Sequence, residues 1–184
     1  TTALPASQGG SMVVFYIDLV RFKPIDDSHG HHVGDRVLGE VADRLRRVIR
    51  DDQLVARVGG DEFVIAAPGL PTEAIDRFCQ RLLETVTAPI HHETGEISIG
   101  VSVGIAIAPT DGSTPDELLR AADSALYKSK QNGRGQYSFF SSEMNERINA
   151  RRRLAEDMRH SLAAGGFIVE YQPRFATRAR KVRT

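Results

Sequence analysis

Cysteine is almost missing from these 184 residues: Cys79 is the only one. A disulfide framework is thereby excluded and a reducing, cytoplasmic compartment is expected, with Cys79 a small core residue. An excess of charge is missing too, since 24 basic side chains meet 24 acidic ones. No net field draws the chain toward nucleic acid or an anionic membrane. No apolar run approaches the roughly 20 residues of a membrane span and no secretory signal opens the chain, so this stretch is expected to make no membrane contact. Neither a Walker-type phosphate loop nor a G-x-G-x-x-G fingerprint occurs. The clustered histidines (His29, His31 and His32; His91 and His92) lack cysteine companions and a helical H-E-x-x-H pattern, which assigns them to caps and surface rather than to metal. What is present is 41% hydrophobic, enough to bury a core, in a chain long enough for one domain or one domain with an appendage.

The run MVVFYID, Met12 to Asp18, ends an apolar stretch on an acid and predicts a buried strand. Phe22 to Gly30 predicts a short helix or turn interrupted by Pro24. Val33, Val37, Leu38, Val41, Leu45, Val48 and Ile49 recur at helical spacing, predicting a helix to about Arg50. LVARV and EFVIAA predict a strand pair about Gly59-Gly60, whose glycines suit a turn of positive φ. Thr72 is placed to cap a helix with Ile75, Phe78, Cys79, Leu82, Leu83 and Val86 on its apolar side. Ile97 to Ile107 alternates Ile or Val with Ser, Gly or Ala. It predicts one strand, greasy on one face and stripped small on the other, where a backbone or a ligand approaches. Thr114-Pro115-Asp116-Glu117 is a capping box with proline at the first helical position, and Gly133 suits the end of that helix. QYSFF predicts a short strand. A charged helix follows from Ser142, with Met144, Ile148, Leu154, Met158 and Leu162 on its apolar side, and FIVEYQPRF predicts a new strand. Domain boundaries are expected at 1–140, 141–166 for a linker helix, and 167–184 for the start of another unit.

The chemistry-bearing residues are acids at strand ends. Asp18 closes the first strand, while Asp61 and Glu62 sit side by side at a tight turn. Two carboxylates about 4 Å apart repel by about 4 kcal/mol at an effective dielectric of 20. A hard divalent cation would turn that repulsion into attraction, and Mg²⁺ takes such oxygen ligands together with the phosphates of a substrate. The bland alternative is a solvated acidic turn. Lys23, Lys130 and Arg134 are either helix-end cations or, if they converge on the same cleft, a clamp for a triphosphate.

FYIDLVRFKPIDDSHGHHVGDRVL, ARVGGDEFVI, ISIGVSVGIAIAP and LLRAADSALYKSKQNGRGQ occur in that order. Over about Val13 to Tyr137 the chain resembles the GGDEF family of diguanylate cyclases. The resemblance implies an α+β fold, a central mainly antiparallel five-stranded sheet wrapped by helices, similar to nucleotidyl cyclases and polymerase palms. It implies condensation of two GTP to cyclic di-GMP by a two-fold homodimer. Mg²⁺ (or Mn²⁺) would be held by Asp18, the Leu19 carbonyl, Asp61 and Glu62, with Asp61 and Glu62 catalytic. Phe22, Lys23, Lys130 and Arg134 would meet the phosphates, Asp26 and Asp35 the guanine, and Gly59 and Gly60 would admit the nucleotide. FIVEYQPRF resembles the opening of an EAL phosphodiesterase domain, which would make 141–166 the connecting helix of a tandem protein.

The chain departs from the family pattern at four places. Asp26 replaces an asparagine, and a carboxylate only accepts hydrogen bonds. Val20 replaces a second acid. The inhibitory R-x-x-D motif is degenerate, with Arg50 present and Gln53 in place of its aspartate. The opening TTALPASQGG is shorter than the family's first helix. These departures point to a second function for the same fold: a GTP-binding domain that regulates an attached EAL phosphodiesterase.

Overall fold

In the computed structural model, which describes residues 11–92 and 95–166, strand β1 (Met12–Val20) runs through the middle of the sheet. Its residues alternate between two buried environments. Val13, Phe15, Ile17 and Leu19 enter the main core, whereas Val14 and Tyr16 face a second, smaller cluster. A strand covered on both faces needs apolar residues at nearly every position, which is why the run reads as continuous rather than alternating.

Helices α1 (Phe22–His29) and α2 (His31–Val48) follow. Pro24 does not interrupt α1, because it lies in the first turn, where the helix needs no N–H from it. Strands β2 (Leu54–Arg57) and β3 (Glu62–Pro68) form the hairpin around Gly59 and Gly60. Neither glycine adopts a positive φ; Gly59 serves instead by leaving room for Glu62, whose Oε2 would stand 3.1 Å from an added Cβ. Helix α3 (Thr72–Thr87) has Pro71, not Thr72, at its N-cap position and carries no side-chain cap hydrogen bond. Its far end is fixed by Arg44 of α2, a buried guanidinium that donates to the carbonyls of Val86 (3.0 Å), Ala88 and Pro89 (2.9 Å). Those carbonyls at the helix end would otherwise lack partners.

The predicted strand from Ile97 to Ile107 is divided. Strand β4 (Ile90–His92) pairs with β5 (Gly95–Ile97) as a separate hairpin, and β6 (Gly100–Ala108) joins the main sheet. The division falls where β1 runs out: Val20 pairs with Gly100, so residues before Gly100 have no β1 partner. Helix α4 (Pro115–Gln131) carries the predicted capping box between Thr114 and Glu117, and Gly133 follows its Asn132 cap at φ 109°. Strand β7 (Tyr137–Phe139) lies parallel to β6.

The sheet order is β2-β3-β1-β6-β7, antiparallel except for the β6–β7 pair. The fold is therefore the expected α+β arrangement, a mainly antiparallel five-stranded sheet with α2 and α3 on one face and α4 on the other. The small residues of β6 are explained by α4: a Cβ on Gly104 would lie 1.9 Å from the Ala122 carbonyl oxygen. It is a helix backbone, not a ligand, that approaches there.

The chain divides into two compact units between Ile148 and Asn149, within α5 (Ser142–Ala163). Along α5, Leu154, Met158 and Leu162 are 60%, 51% and 69% exposed, so the apolar side expected from the sequence is solvent-facing there. The side chains of Met144 and Ile148, the opening 1–10 and the expected EAL start at 167–184 lie outside the described residues.

Candidate active site

The register of the sheet brings the acids together. Asp18 at the end of β1 pairs directly with Glu62 at the start of β3 on one side and with Ser102 of β6 on the other. Side chains directly opposite on neighbouring antiparallel strands share a face, with Cβ atoms about 4.5–5.5 Å apart. The N–H of Leu19 donates to the Asp61 carbonyl at 3.1 Å, tying the hairpin tip to β1. In an extended strand the N–H and C=O of one residue point the same way, so the Leu19 carbonyl also faces the hairpin.

Asp18 and Glu62 each have a donor. Lys130, in the last turn of α4, places Nζ 2.6 Å from Asp18 Oδ1; the pair is 30% and 15% exposed. Partial burial makes this contact stronger than a solvated surface pair. The Tyr16 hydroxyl donates to Glu62 Oε2 at 3.2 Å. Its pKa is raised above 10.0, first by burial and then by the carboxylates of Glu62, Asp123 and Asp18, so the phenol stays protonated. The Arg57 guanidinium donates to the Gly59 carbonyl at 3.2 Å and to that of Gly60 at 2.7 and 3.0 Å, fastening the glycine turn. Tyr16 and Arg57 were not among the sequence candidates. Tyr16 shares the face of Asp18 by the period of two, which is the signal that could have marked it.

Arg134 adopts a left-handed φ of 59° in the turn after α4. That turn is pinned by the Gly135 N–H, which donates to Ser102 Oγ at 3.2 Å; Ser102 is the buried residue opposite Asp18. Lys130 and the Arg134 turn thus stand at the Asp18 end of the sheet. Phe22 is half-buried and Lys23 exposed in the first turn of α1.

The two expected guanine acids are placed differently. Asp35 lines a cleft of about 410 Å³ between α2 and the β2–β3 hairpin, with Leu38, Gly39, Val55, Arg57 and Phe63. Asp26 is not on that cleft's wall; its Oδ2 is 2.8 Å from His31 Nδ1, and its Oδ1 lies over Gly34, where a Cβ would come within 2.2 Å. A side chain at position 34 would require the Asp26 carboxylate to turn away.

At the degenerate inhibitory motif, Gln53 is buried and its Oε1 accepts from the Arg50 N–H at 3.0 Å, closing the turn before β2. Arg50 Nε meets Asp52 Oδ1 at 3.3 Å, and Arg81 donates to the Val48 carbonyl at 2.6 Å.

The donors around Asp18 and Glu62 are all oxygens, the set a hard cation such as Mg²⁺ takes. Among the described residues no group of three or more histidine, cysteine or carboxylate side chains is arranged as a metal cage, so an ion here would draw on one or two of the carboxylates together with the Leu19 carbonyl and substrate phosphates. Asp18 is instead paired to an ammonium. A cation that takes Asp18 Oδ1 competes with Lys130 for it.

The profile of the family described as "Diguanylate cyclase, GGDEF domain" matches residues 2–136. The chain belongs to the GGDEF family. The "Bifunctional diguanylate cyclase/cyclic di-GMP phosphodiesterase MucR" of Pseudomonas aeruginosa is 37% identical over 161 residues, which cover 88% of this chain and 24% of that protein. The "Cyclic di-GMP phosphodiesterase PdeR" of Escherichia coli is 34% identical over 176 residues, 96% of this chain and 27% of that one. The solved EAL/GGDEF domain protein from M. capsulatus superposes with a TM-score of 0.70 at 40% identity, over 76% of this chain and 90% of that one. The chain therefore spans about a quarter of the length of these curated relatives. Among the described residues no helix is long and apolar enough to cross a membrane.

Proposed function

We propose that this GGDEF domain is a diguanylate cyclase that condenses two GTP into cyclic di-GMP and two pyrophosphates. The observation that carries the proposal is the direct pairing of Asp18 with Glu62 across adjacent strands, with Lys130 on Asp18. The 3′-hydroxyl oxygen of one GTP forms a bond to the α-phosphorus of the other, the α–β bridging P–O bond breaks, and pyrophosphate leaves; a second round closes the ring. Asp18, the Leu19 carbonyl, Asp61 and Glu62 would hold Mg²⁺ or Mn²⁺, which when bound lowers the pKa of the attacking hydroxyl and neutralises phosphoryl charge.

The protein's own groups do the rest. Lys130 and Arg134, with Phe22 and Lys23, receive the phosphates, and ammonium and guanidinium suit that charge. Asp35 accepts from the guanine N1–H and N2–H at the wall of its cleft. Gly59 and Gly60 keep the hairpin bare for the nucleotide. Glu62, with Oε2 taken by Tyr16, keeps Oε1 for the metal or the hydroxyl proton. One domain presents one GTP, so two copies related by a two-fold axis bring the substrates face to face. Residues 1–140 form this domain, 141–166 a linker helix, and 167–184 the start of an EAL domain in the same polypeptide. The substrate places the domain in the cytoplasm.

The contact of Asp26 with His31, away from the cleft wall, favours a second role as a GTP-binding regulator of that EAL domain. One experiment separates the two. The full-length protein is incubated with GTP and Mg²⁺ beside Glu62→Ala, and cyclic di-GMP is measured by chromatography. Cyclase function gives product that falls at least about a hundredfold in the variant, the scale of losing a key electrostatic or acid–base group. GTP binding without product refutes it in favour of the regulator.

A further inference from the structure

Tyr16 carries a hydroxyl where packing asks for none. Its neighbours toward α4 are the apolar cluster of Val14, Ala106, Leu118, Ala121 and Ala122, which a phenylalanine ring would satisfy equally. The hydroxyl is nevertheless set among the carboxylates of Glu62, Asp123 and Asp18. The register explains its reach. Tyr16 pairs with Val64 and Asp18 with Glu62, so Tyr16 and Glu62 are diagonal neighbours on one face, a separation only a long side chain bridges. The phenol donates to Glu62 Oε2 at 3.2 Å. From the other side the same oxygen lies against Gly59, where an added Cβ would stand only 3.1 Å away. One oxygen of Glu62 thus has the phenol as its donor and uses the room left by the missing Cβ of Gly59, which distinguishes it from Oε1.

We propose that Tyr16 is a positioning residue of the cyclase reaction, its hydroxyl holding the Glu62 carboxylate so that Oε1 is presented to the nucleotide. This rests on the cyclase function proposed above. A side chain fixed before substrate arrives spares the reaction the cost of ordering it.

The test is Tyr16→Phe in the full-length protein. The rate at saturating GTP should fall about tenfold, the equivalent of about 1.4 kcal/mol in the barrier. KM for GTP should stay within about twofold, because phosphate and base contacts are untouched. A circular dichroism spectrum of Tyr16→Phe that matches the parent's guards against a folding defect peculiar to the variant. Equilibrium unfolding of metal-free protein supplies a readout independent of turnover. Tyr16→Phe and Glu62→Ala should be non-additive, with about fivefold coupling in the unfolding constant. Coupling together with the rate loss supports the proposal. Additive unfolding effects overturn it, and so does coupling with an unchanged rate, which would make the bond merely structural. An active parent with an unaffected Tyr16→Phe refutes the positioning role alone, whereas a parent that makes no product refutes the cyclase function and takes this proposal with it.

Discussion

Gly104→Ala adds one methyl group at the centre of β6, between Tyr16 of β1 and Ser138 of β7 in the register. Its carbon would lie 1.9 Å from the Ala122 carbonyl oxygen, 2.2 Å from the Leu126 nitrogen and 2.8 Å from the Leu126 Cα. All three are helix backbone, so no side chain can turn aside. Ordinary contact at about 3.5 Å requires α4 to withdraw by about 1.5 Å. That separates the apolar layer in which Ala106, Leu118 and Ala122 are fully buried. Overpacking of a rigid core costs about 1–3 kcal/mol, and a backbone-on-backbone clash belongs at the upper end. A loss of about 3 kcal/mol lowers the thermal midpoint by about 6–12 °C for a domain of this size. Gly39→Ala is the control. Gly39 lies inside α2 with nothing within 4 Å of its notional Cβ, so alanine should stabilise by about 0.5–1 kcal/mol through helix propensity alone. Both are read from urea unfolding of the full-length protein followed by circular dichroism. A Gly104→Ala protein as stable as the parent would refute the close seating of α4, and with it the placement of Lys130 one turn beyond Leu126.

Lys130→Met should separate metal affinity from nucleotide affinity. Removing the ammonium that sits on Asp18 Oδ1 should tighten Mn²⁺ binding without nucleotide about tenfold and weaken GTP binding; calorimetry showing unchanged Mn²⁺ affinity would show that lysine and metal do not compete. Glu117→Gln should flatten the acid limb of stability. The Ser113 and Thr114 backbone N–H groups hold the Glu117 carboxyl below its ordinary 4.5, so the unfolded chain binds its proton first as pH falls. The stabilisation is complete above 4.5 and is lost as pH drops through the folded value. Thermal midpoints from about pH 6 to about pH 3 should fall less steeply in the variant, and identical slopes would refute the linkage.

Most of the sheet was legible because burial imposes a period on the residues. The capping box at Thr114 was legible because it satisfies local donors with local acceptors. The break before Gly100 was not. Ile97 and Ile99 remain buried although they leave the main sheet, so the alternation reports which side is dry and not which strand is the partner. The small face of β6 left open a backbone or a ligand, and only the position of α4 decides between them. At the site, Asp18, Glu62 and Lys130 were visible as charges in suggestive places. Tyr16 was hidden inside an apolar run, because an aromatic ring in a buried strand looks like packing until its hydroxyl is seen to have a carboxylate partner.

The adjacent acids of the hairpin present an electrostatic problem for which the sequence alone offers either a metal or solvent. The folded chain resolves part of it by itself. Lys130 balances Asp18, Tyr16 donates to Glu62, and Arg57 grips the carbonyls of the glycine turn from outside. Since these donors come from α4, β1 and β2, the site assembles only after the sheet and the helix above it have formed. The same arrangement explains how neighbouring carboxylates are tolerated at this end of the sheet: the ammonium of Lys130, carried on a flexible stem from α4, neutralises Asp18 at 2.6 Å.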